Sequence, residues 1–361
     1  MADALKDMFN KAFYQRLADE LHKADKRFAI DGFVKNVTSG LESLSLNERL
    51  RNTSVVMKNY LPSDYSKSLD ILYEVVSAFK GTYTALVFPD YVGQYGHDDF
   101  NLSMEALKYF TRFGSSEFAI RQYLKRDFSK TLKVMQKWAD DKNHHVRRLA
   151  SEGSRSRLPW SFNLDEVFKN PEVTRPILEK LKADEELYVK KSVANHLNDF
   201  SKNHSFYLLQ VMNEWDRTNP HTAWIIKHAG RTLIKKGNQE SLAVFNFEKN
   251  VKVEVSNFKL NKSKLKLGES LHFEFDLISH KSTNQKLVID YAIGFVKKSG
   301  EVSPKIFKLK EIELSPKQSV HVSKTQPFVN LSTRTHFKGN HFVEIVINGK
   351  SYIKQEFMLI L

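Results

Sequence analysis

Apolar residues recur at three- and four-residue spacings from Asp3 to about Gly237, and alternate with polar ones from Val251 onward. Leu17, Leu21 and Ala24 form one helical set, and Met104, Leu107, Phe110 and Thr111 another. Each set falls on one face of a 3.6-residue helix. Pro62, Pro89, Gly114, Pro159, Pro171, Pro176 and Pro220 separate the segments. Ser115 or Ser116 before Glu117, Asn163 before Asp165 and Glu166, and Asn219 before Pro220 read as helix caps. Beyond residue 250, Val251, Val253 and Val255 share one strand face, as do Leu271, Phe273, Phe275 and Leu277. Asn348–Gly349 between Val343–Ile347 and Ser351–Phe357 predicts a two-residue hairpin. About seven strands in this stretch match an immunoglobulin-like sandwich. The chain therefore reads as multi-domain, with a helical part at 1–250 and an all-β part at 251–361.

The helical part repeats itself. Val146-Arg147-Arg148-Leu149-Ala150 is echoed by Val189-Lys190-Lys191-Ser192-Val193-Ala194, 43 residues on. Trp224-Ile225-Ile226-Lys227-His228-Ala229 is a looser copy after another 35. This period predicts an α-solenoid of HEAT-like repeats, because one helical hairpin cannot bury its apolar face alone. Arg147, Arg148, Lys190, Lys191, Lys227 and Arg231 then fall on inner helices as a basic track for phosphates. The competing reading is an ordinary solvated face.

Composition narrows the chemistry. The 361 residues contain no cysteine, which excludes disulfides, thiolate catalysis and cysteine–zinc sites. No run approaches the ~18 apolar residues of a membrane helix, and Met1 to Lys23 lacks a secretory core, so a soluble, cytoplasmic protein without a membrane partner is expected. The net charge of +14 attracts anionic partners. Residues 251–361 carry 18 Lys and Arg against 10 Asp and Glu, and Arg334 is their single arginine. Such a lysine-rich surface favours point-charge contacts to a phosphate backbone over bidentate reading of bases.

No P-loop, H-E-x-x-H or G-x-S-x-G motif is present. His144–His145 lacks helical ligand spacing, and a polar loop accounts for His97-Asp98-Asp99 more simply than a metal does. Neither a metal nor a cofactor is expected. The informative stretch is Phe110 to Trp160. Arg148 and Glu152 are four apart, hence on one helix face. Glu117 opens the corresponding helix 35 residues before Glu152, so stacked repeats aim both carboxylates at one place, with Trp160 beside them after Pro159. Taken singly, Glu117 reads as a helix-start partner, Glu152–Arg148 as an ordinary ion pair and Trp160 as core.

These motifs are similar to those of the AlkC branch of the AlkC/AlkD superfamily of bacterial DNA alkylation-repair glycosylases. The resemblance rests on Phe88-Pro89-Asp90-Tyr91-Val92 with Tyr95-Gly96, Ser115-Ser116-Glu117-Phe118-Ala119, Val146–Trp160, and Ser192-Val193-Ala194-Asn195-His196-Leu197-Asn198-Asp199. It spans essentially the whole chain, since AlkC proteins can carry an immunoglobulin-like domain after the repeats. It implies a monofunctional glycosylase that hydrolyses the N-glycosidic bond of cationic bases, 3-methyladenine and 3-methylcytosine, in double-stranded DNA without a deep base pocket. It assigns Glu117 and Glu152 to the oxocarbenium-like sugar and the attacking water, Trp160 to the cationic base or sugar, and Arg148 to a phosphate or to Glu152. Asn195 and Asp199 become DNA or support contacts, and a monomer without an obligate protein partner is expected. A non-catalytic HEAT scaffold for an acidic protein, or an architectural DNA binder, would share the basic track without needing both carboxylates.

Overall fold

The computed structural model describes residues 5–331 and 334–361. The chain divides into two compact units. The first runs to residue 207 and includes 215–229; the second comprises 208–214 and 230–361.

The first unit is helical. Six of its helices pack one against the next in chain order: α1 (Leu46–Lys58), α2 (Val87–Tyr95), α3 (Glu117–Arg126), α4 (His144–Gly153), α5 (Leu187–Asp199) and α6 (Pro220–Ala229). Other helices, such as Phe128–Trp138 and Arg175–Leu181, intervene in sequence and pack behind this row. This is the stacked-hairpin plan that the repeat period predicts. The apolar half of each repeat motif drives the stacking. Val146, Leu149 and Ala150 on α4, Val189, Val193 and Ala194 on α5, and Ile225, Ile226 and Ala229 on α6 are all buried. Each large side chain among them contributes about 1.5–3 kcal/mol of burial.

Caps fix where the helices begin. Asn219 accepts from the His221 and Thr222 N–H groups at 2.9 and 3.2 Å, as expected. At α3 the two serines divide the work: Ser115 Oγ accepts from the Glu117 N–H at 3.3 Å, while Ser116 Oγ donates to the Leu107 carbonyl. Asn163 is not a cap. Buried Leu164 holds that position before Asp165–Lys169, and core burial there replaces a side-chain hydrogen bond. Asp99 caps Phe100–Phe110 by accepting from the Leu102 N–H. Among the described residues no His/Asp/Glu group is arranged to hold a metal ion, and no helix is long and apolar enough to cross a membrane.

Among its described residues the second unit contains an eight-stranded sandwich: β1 (Val253–Leu260), β2 (Lys264–Lys266), β3 (Ser270–Ser279), β4 (Gln285–Val296), β5 (Val302–Leu314), β6 (Ser319–Pro327), β7 (Gly339–Ile347) and β8 (Lys350–Ile360). One sheet runs β1-β3-β6 and the other β2-β8-β7-β4-β5. The strand beyond the expected seven is β2, three residues paired parallel to β8. Leu271, Phe273, Phe275 and Leu277 face Leu287, Ile289, Tyr291 and Ile293 in the core. On the other face of β4, Val288 packs on Ile234, Leu242 and Phe247. Residues 231–247 therefore belong structurally with the sandwich.

The hairpin joining β7 and β8 has Asn348 at φ 46° and Gly349 at φ 77°, the left-handed pair of a two-residue turn. Gly349 also abuts Gly237: a Cβ on Gly349 would lie 2.1 Å from the Gly237 Cα. Gly349→Ala should therefore cost about 1–3 kcal/mol, read as a lower urea midpoint. Gly300, also at positive φ but with open space around it, is the control: Gly300→Ala meets no neighbour and should cost only the backbone term of about 1 kcal/mol.

Candidate active site

An alternating row of charges crosses the stacked helices. Glu117 opens α3, where helix N–H groups favour a carboxylate. Its Oε2 accepts from Arg148 Nη1 on α4 and from Ser115 Oγ at 2.9 Å. Arg148 also donates to Ser115 Oγ at 2.8 Å and approaches Glu152 Oε1 within 3.6 Å through Nη2. Glu152 in turn accepts from Arg155 Nη1 at 2.6 Å. Arg155 ends the row with a two-pronged bond to Asp199 at the close of α5, at 2.8 and 3.0 Å. Three carboxylates thus alternate with two guanidiniums, all largely buried.

Burial alone would raise the Glu152 carboxyl, but Arg148 and Arg155 hold it below the ordinary glutamate range. Burial opposes the Arg155 charge too, and Asp199 and Glu152 reverse that and raise its pKa. Arg148, Glu152 and Arg155 therefore carry their charges at neutral pH.

Glu117, Arg148 and Glu152 line a cavity of about 290 Å³ together with Tyr83, Tyr188 and Trp160. The Arg148 guanidinium lies 4.8 Å from the Tyr188 ring centre. Trp160 forms a wall, edge-on to Tyr83 at 6.4 Å and 54% exposed. Its φ of 64° is a conformation that bulky residues avoid, which persists only where the surroundings impose it. Arg121 on α3 imposes it in part. This fully buried guanidinium donates to the carbonyls of Gly153 at 3.1 Å, Arg155 at 2.8 Å and Phe162, gripping both ends of the 153–162 connection. Burial pushes its pKa down to about 10, so it stays charged at neutral pH.

The structure thus brings Glu117, Arg148, Glu152 and Trp160 together. Asp199 joins them from behind, where both its oxygens accept from Arg155. Arg147 bonds Asp184 at 2.6 and 3.2 Å, and Lys190 meets His221 Nδ1 at 3.1 Å. Lys191 and Lys227 are exposed and Asn195 is half-buried. None of these five lines the cavity. Arg231 opens the helix Arg231–Lys235 in the second unit.

Sequence reasoning missed Tyr83, Arg121, Arg155 and Tyr188. Arg155 was within reach, three residues after Glu152, as was Arg121, four after Glu117. Tyr83 opens the 3-10 helix Tyr83–Leu86, which is too short to carry a periodic signal.

A solved structure with the same architecture is the Pseudomonas fluorescens alkylpurine DNA glycosylase AlkC, bound to DNA containing an abasic site analog. It is 44% identical, covers 99% of each chain and superposes with a TM-score of 0.94. The chain belongs to the AlkC family. A second relative of this AlkC-family chain, the uncharacterized protein YhaZ of Bacillus subtilis, is 40% identical over 351 residues, 97% of each chain. The family model described as the C-terminal Ig-like domain of uncharacterised protein YhaZ matches residues 254–361, which contain the AlkC-type sandwich apart from the first residue of β1.

Proposed function

We propose that this AlkC-family protein is a DNA glycosylase that hydrolyses the N-glycosidic bond of cationic N-alkylated bases in double-stranded DNA. The observation that carries this reading is the cavity where Glu117, Glu152 and Trp160 meet. Glu152 is held ionised, so it serves as an anion rather than a proton donor. Burial pushes the Tyr83 hydroxyl up to about 12, and Tyr188 is raised as well, so neither is a useful acid at neutral pH. A site built this way suits a leaving group that needs no proton. A base made cationic by alkylation is such a group, and 3-methyladenine and 3-methylcytosine are the proposed substrates.

As the base leaves with the bonding pair, positive charge develops on the deoxyribose ring. Glu117 and Glu152 stabilise it in a cavity where water screens poorly, and one of them orients the water that attacks C1′. The water's second proton passes to solvent. Trp160 offers its exposed face to the cationic base or the sugar. Arg148, fixed by both carboxylates, keeps them at a set separation. Along the same helices Arg147, Lys190, Lys191, Asn195 and Lys227, with Arg231 and the lysine-rich sandwich, supply contacts to the DNA backbone. The protein acts as a monomer and opens no abasic site, because the cavity holds no lysine for an amine nucleophile.

The test is release of methylated bases from alkylated duplex DNA by the purified protein. Inactivity on every cationic adduct sinks the enzyme reading and leaves a DNA-binding module. The pH profile is a second check. The Glu152 carboxyl is depressed in the folded protein, so its ionised form, and the stability that form brings, persist until the pH falls through a value below the unfolded glutamate pKa of about 4.3. Base release should stay level from pH 8 down to about 5. A fall centred near pH 6 would mean that a different group carries the chemistry.

A further inference from the structure

A second cavity, of about 320 Å³, adjoins the carboxylate site and shares Tyr83, Leu86, Ser115 and Tyr188 with it. We propose that this cavity, built by residues 80–83, 111–115 and His145, holds a phosphodiester of the lesion-bearing strand next to the nucleotide whose sugar faces Glu117 and Glu152. The inference rests on DNA being the ligand of the carboxylate site.

The lining carries cations and no carboxylate. Lys80 and Arg112 supply the charge, His145 adds an imidazole, and no Asp or Glu contributes. Lys80 is exposed and, among the described residues, has no carboxylate partner. Arg112 lies 5.7 Å from the Tyr109 ring centre, and its buried Nε has no hydrogen-bond acceptor. Of the nearby acids, Asp141 pairs with Lys108 at 2.8 Å and Glu117 with Arg148, while Glu186, which acts on His145, and Glu105, on the other side of Arg112, stand outside the lining. Burial lowers the His145 pKa, and His144, Lys80 and Arg148 lower it further against Glu186, so the ring is neutral at neutral pH and offers a hydrogen bond rather than a charge. These groups contrast with Arg147, which is already bound to an acid of the protein.

The frame is also stiff. The Gly81 N–H donates to the Phe113 carbonyl at 2.9 Å and ties the two loops together. Gly114 packs so closely on Ala85 that a Cβ there would fall 2.8 Å from the Ala85 Cβ. Ser115 links the two cavities directly, because it lines both while bonding Glu117 and Arg148. A phosphate held here would set the register of the strand, and with it which sugar meets the carboxylates.

The experiment uses the full chain and a duplex with a single abasic-site analogue. Wild type, Lys80→Gln, Arg112→Gln and the double variant are titrated across a salt series, then against duplexes with one uncharged methylphosphonate placed at successive positions around the site. The expected result is a slope of log K against log salt shallower by about 0.9 for each phosphate that the variant no longer neutralises. One methylphosphonate position should weaken wild-type binding several-fold and leave the double variant unaffected. An unchanged slope, or the same penalty at every position in wild type and double variant, overturns the proposal. If Arg112→Gln melts early, Lys80→Gln decides alone, since the exposed Lys80 side chain has no carboxylate partner to lose. Position-specific loss of binding in a protein that releases no base would support the phosphate site and sink the glycosylase reading. Base release with no coupling at any position would sink the phosphate site alone.

Discussion

Glu152→Gln should lower base release by about 10²–10³-fold at saturating DNA while leaving the fold in place. The chemistry needs the charge and not merely the shape, because an amide of equal size cannot stabilise a sugar cation as a carboxylate does. The fold survives because of the row's arithmetic. Losing the Glu152 charge leaves Arg148 bonded to Glu117 and Arg155 bonded to Asp199. No buried guanidinium is stranded, and stranding is what makes most broken buried pairs costly. Glu117→Gln differs in this respect, because the only carboxylate Arg148 then keeps is Glu152 at the longer 3.6 Å, beside its bond to the Ser115 hydroxyl. The check is single-turnover base release beside a thermal melt. Full activity in both variants would remove the two carboxylates from the mechanism. Full activity in one would assign the work to the other. Asp199→Asn should cut activity less, since Arg155 keeps its 2.6 Å bond to Glu152.

Arg121→Met should be the most damaging change outside the cavity. It touches no carboxylate within bonding distance but satisfies three carbonyls, those of Gly153, Arg155 and Phe162. Removing it leaves those acceptors buried and unpaired, at about 1–3 kcal/mol each, with part recovered if water enters. The expected loss is about 3–5 kcal/mol, seen as a large drop in urea midpoint. The 153–162 connection is also what holds Trp160 at positive φ. With that grip gone, the indole should leave the wall, and base release should fall by about 10²-fold at temperatures where the variant is still folded. Arg121→Lys keeps the charge but reaches fewer carbonyls, so it should fall between the two. A normal urea midpoint for Arg121→Met would show that the connection is held by its other bonds, such as the Leu164 N–H to the Ser156 carbonyl.

The sequence was most legible where one face of an element is buried. The alternation through Leu271, Phe273, Phe275 and Leu277 becomes a sandwich core, and the Val146, Val189 and Trp224 motifs become stacked helices. The convergence of Glu117 and Glu152 was readable for the same reason, since stacked repeats carry corresponding turns to neighbouring places. Periodicity reports faces, however, and not what crosses between loops. The pairing of Arg147 was hidden because Asp184 lies 37 residues away in a connection. The pairing of Asp199 was hidden because Arg155, 44 residues earlier, falls beyond the end of α4. Asn163 looked like a cap because local chemistry gives no sign that Leu164 is drawn into the core.

The placement of Trp160 has a practical consequence. The protein has four tryptophans, and Trp138 and Trp215 are buried while Trp224 stacks on His228 at 3.6 Å. Trp160 alone is more than half exposed, and it is a wall of the cavity. Its emission should form the red edge of the intrinsic fluorescence and be the fraction that acrylamide quenches first. A ligand entering beside Glu117 and Glu152 would shift that edge to the blue and shield it from the quencher. The molecule thus carries its own optical reporter of occupancy, readable without a label and independent of whether a base is released.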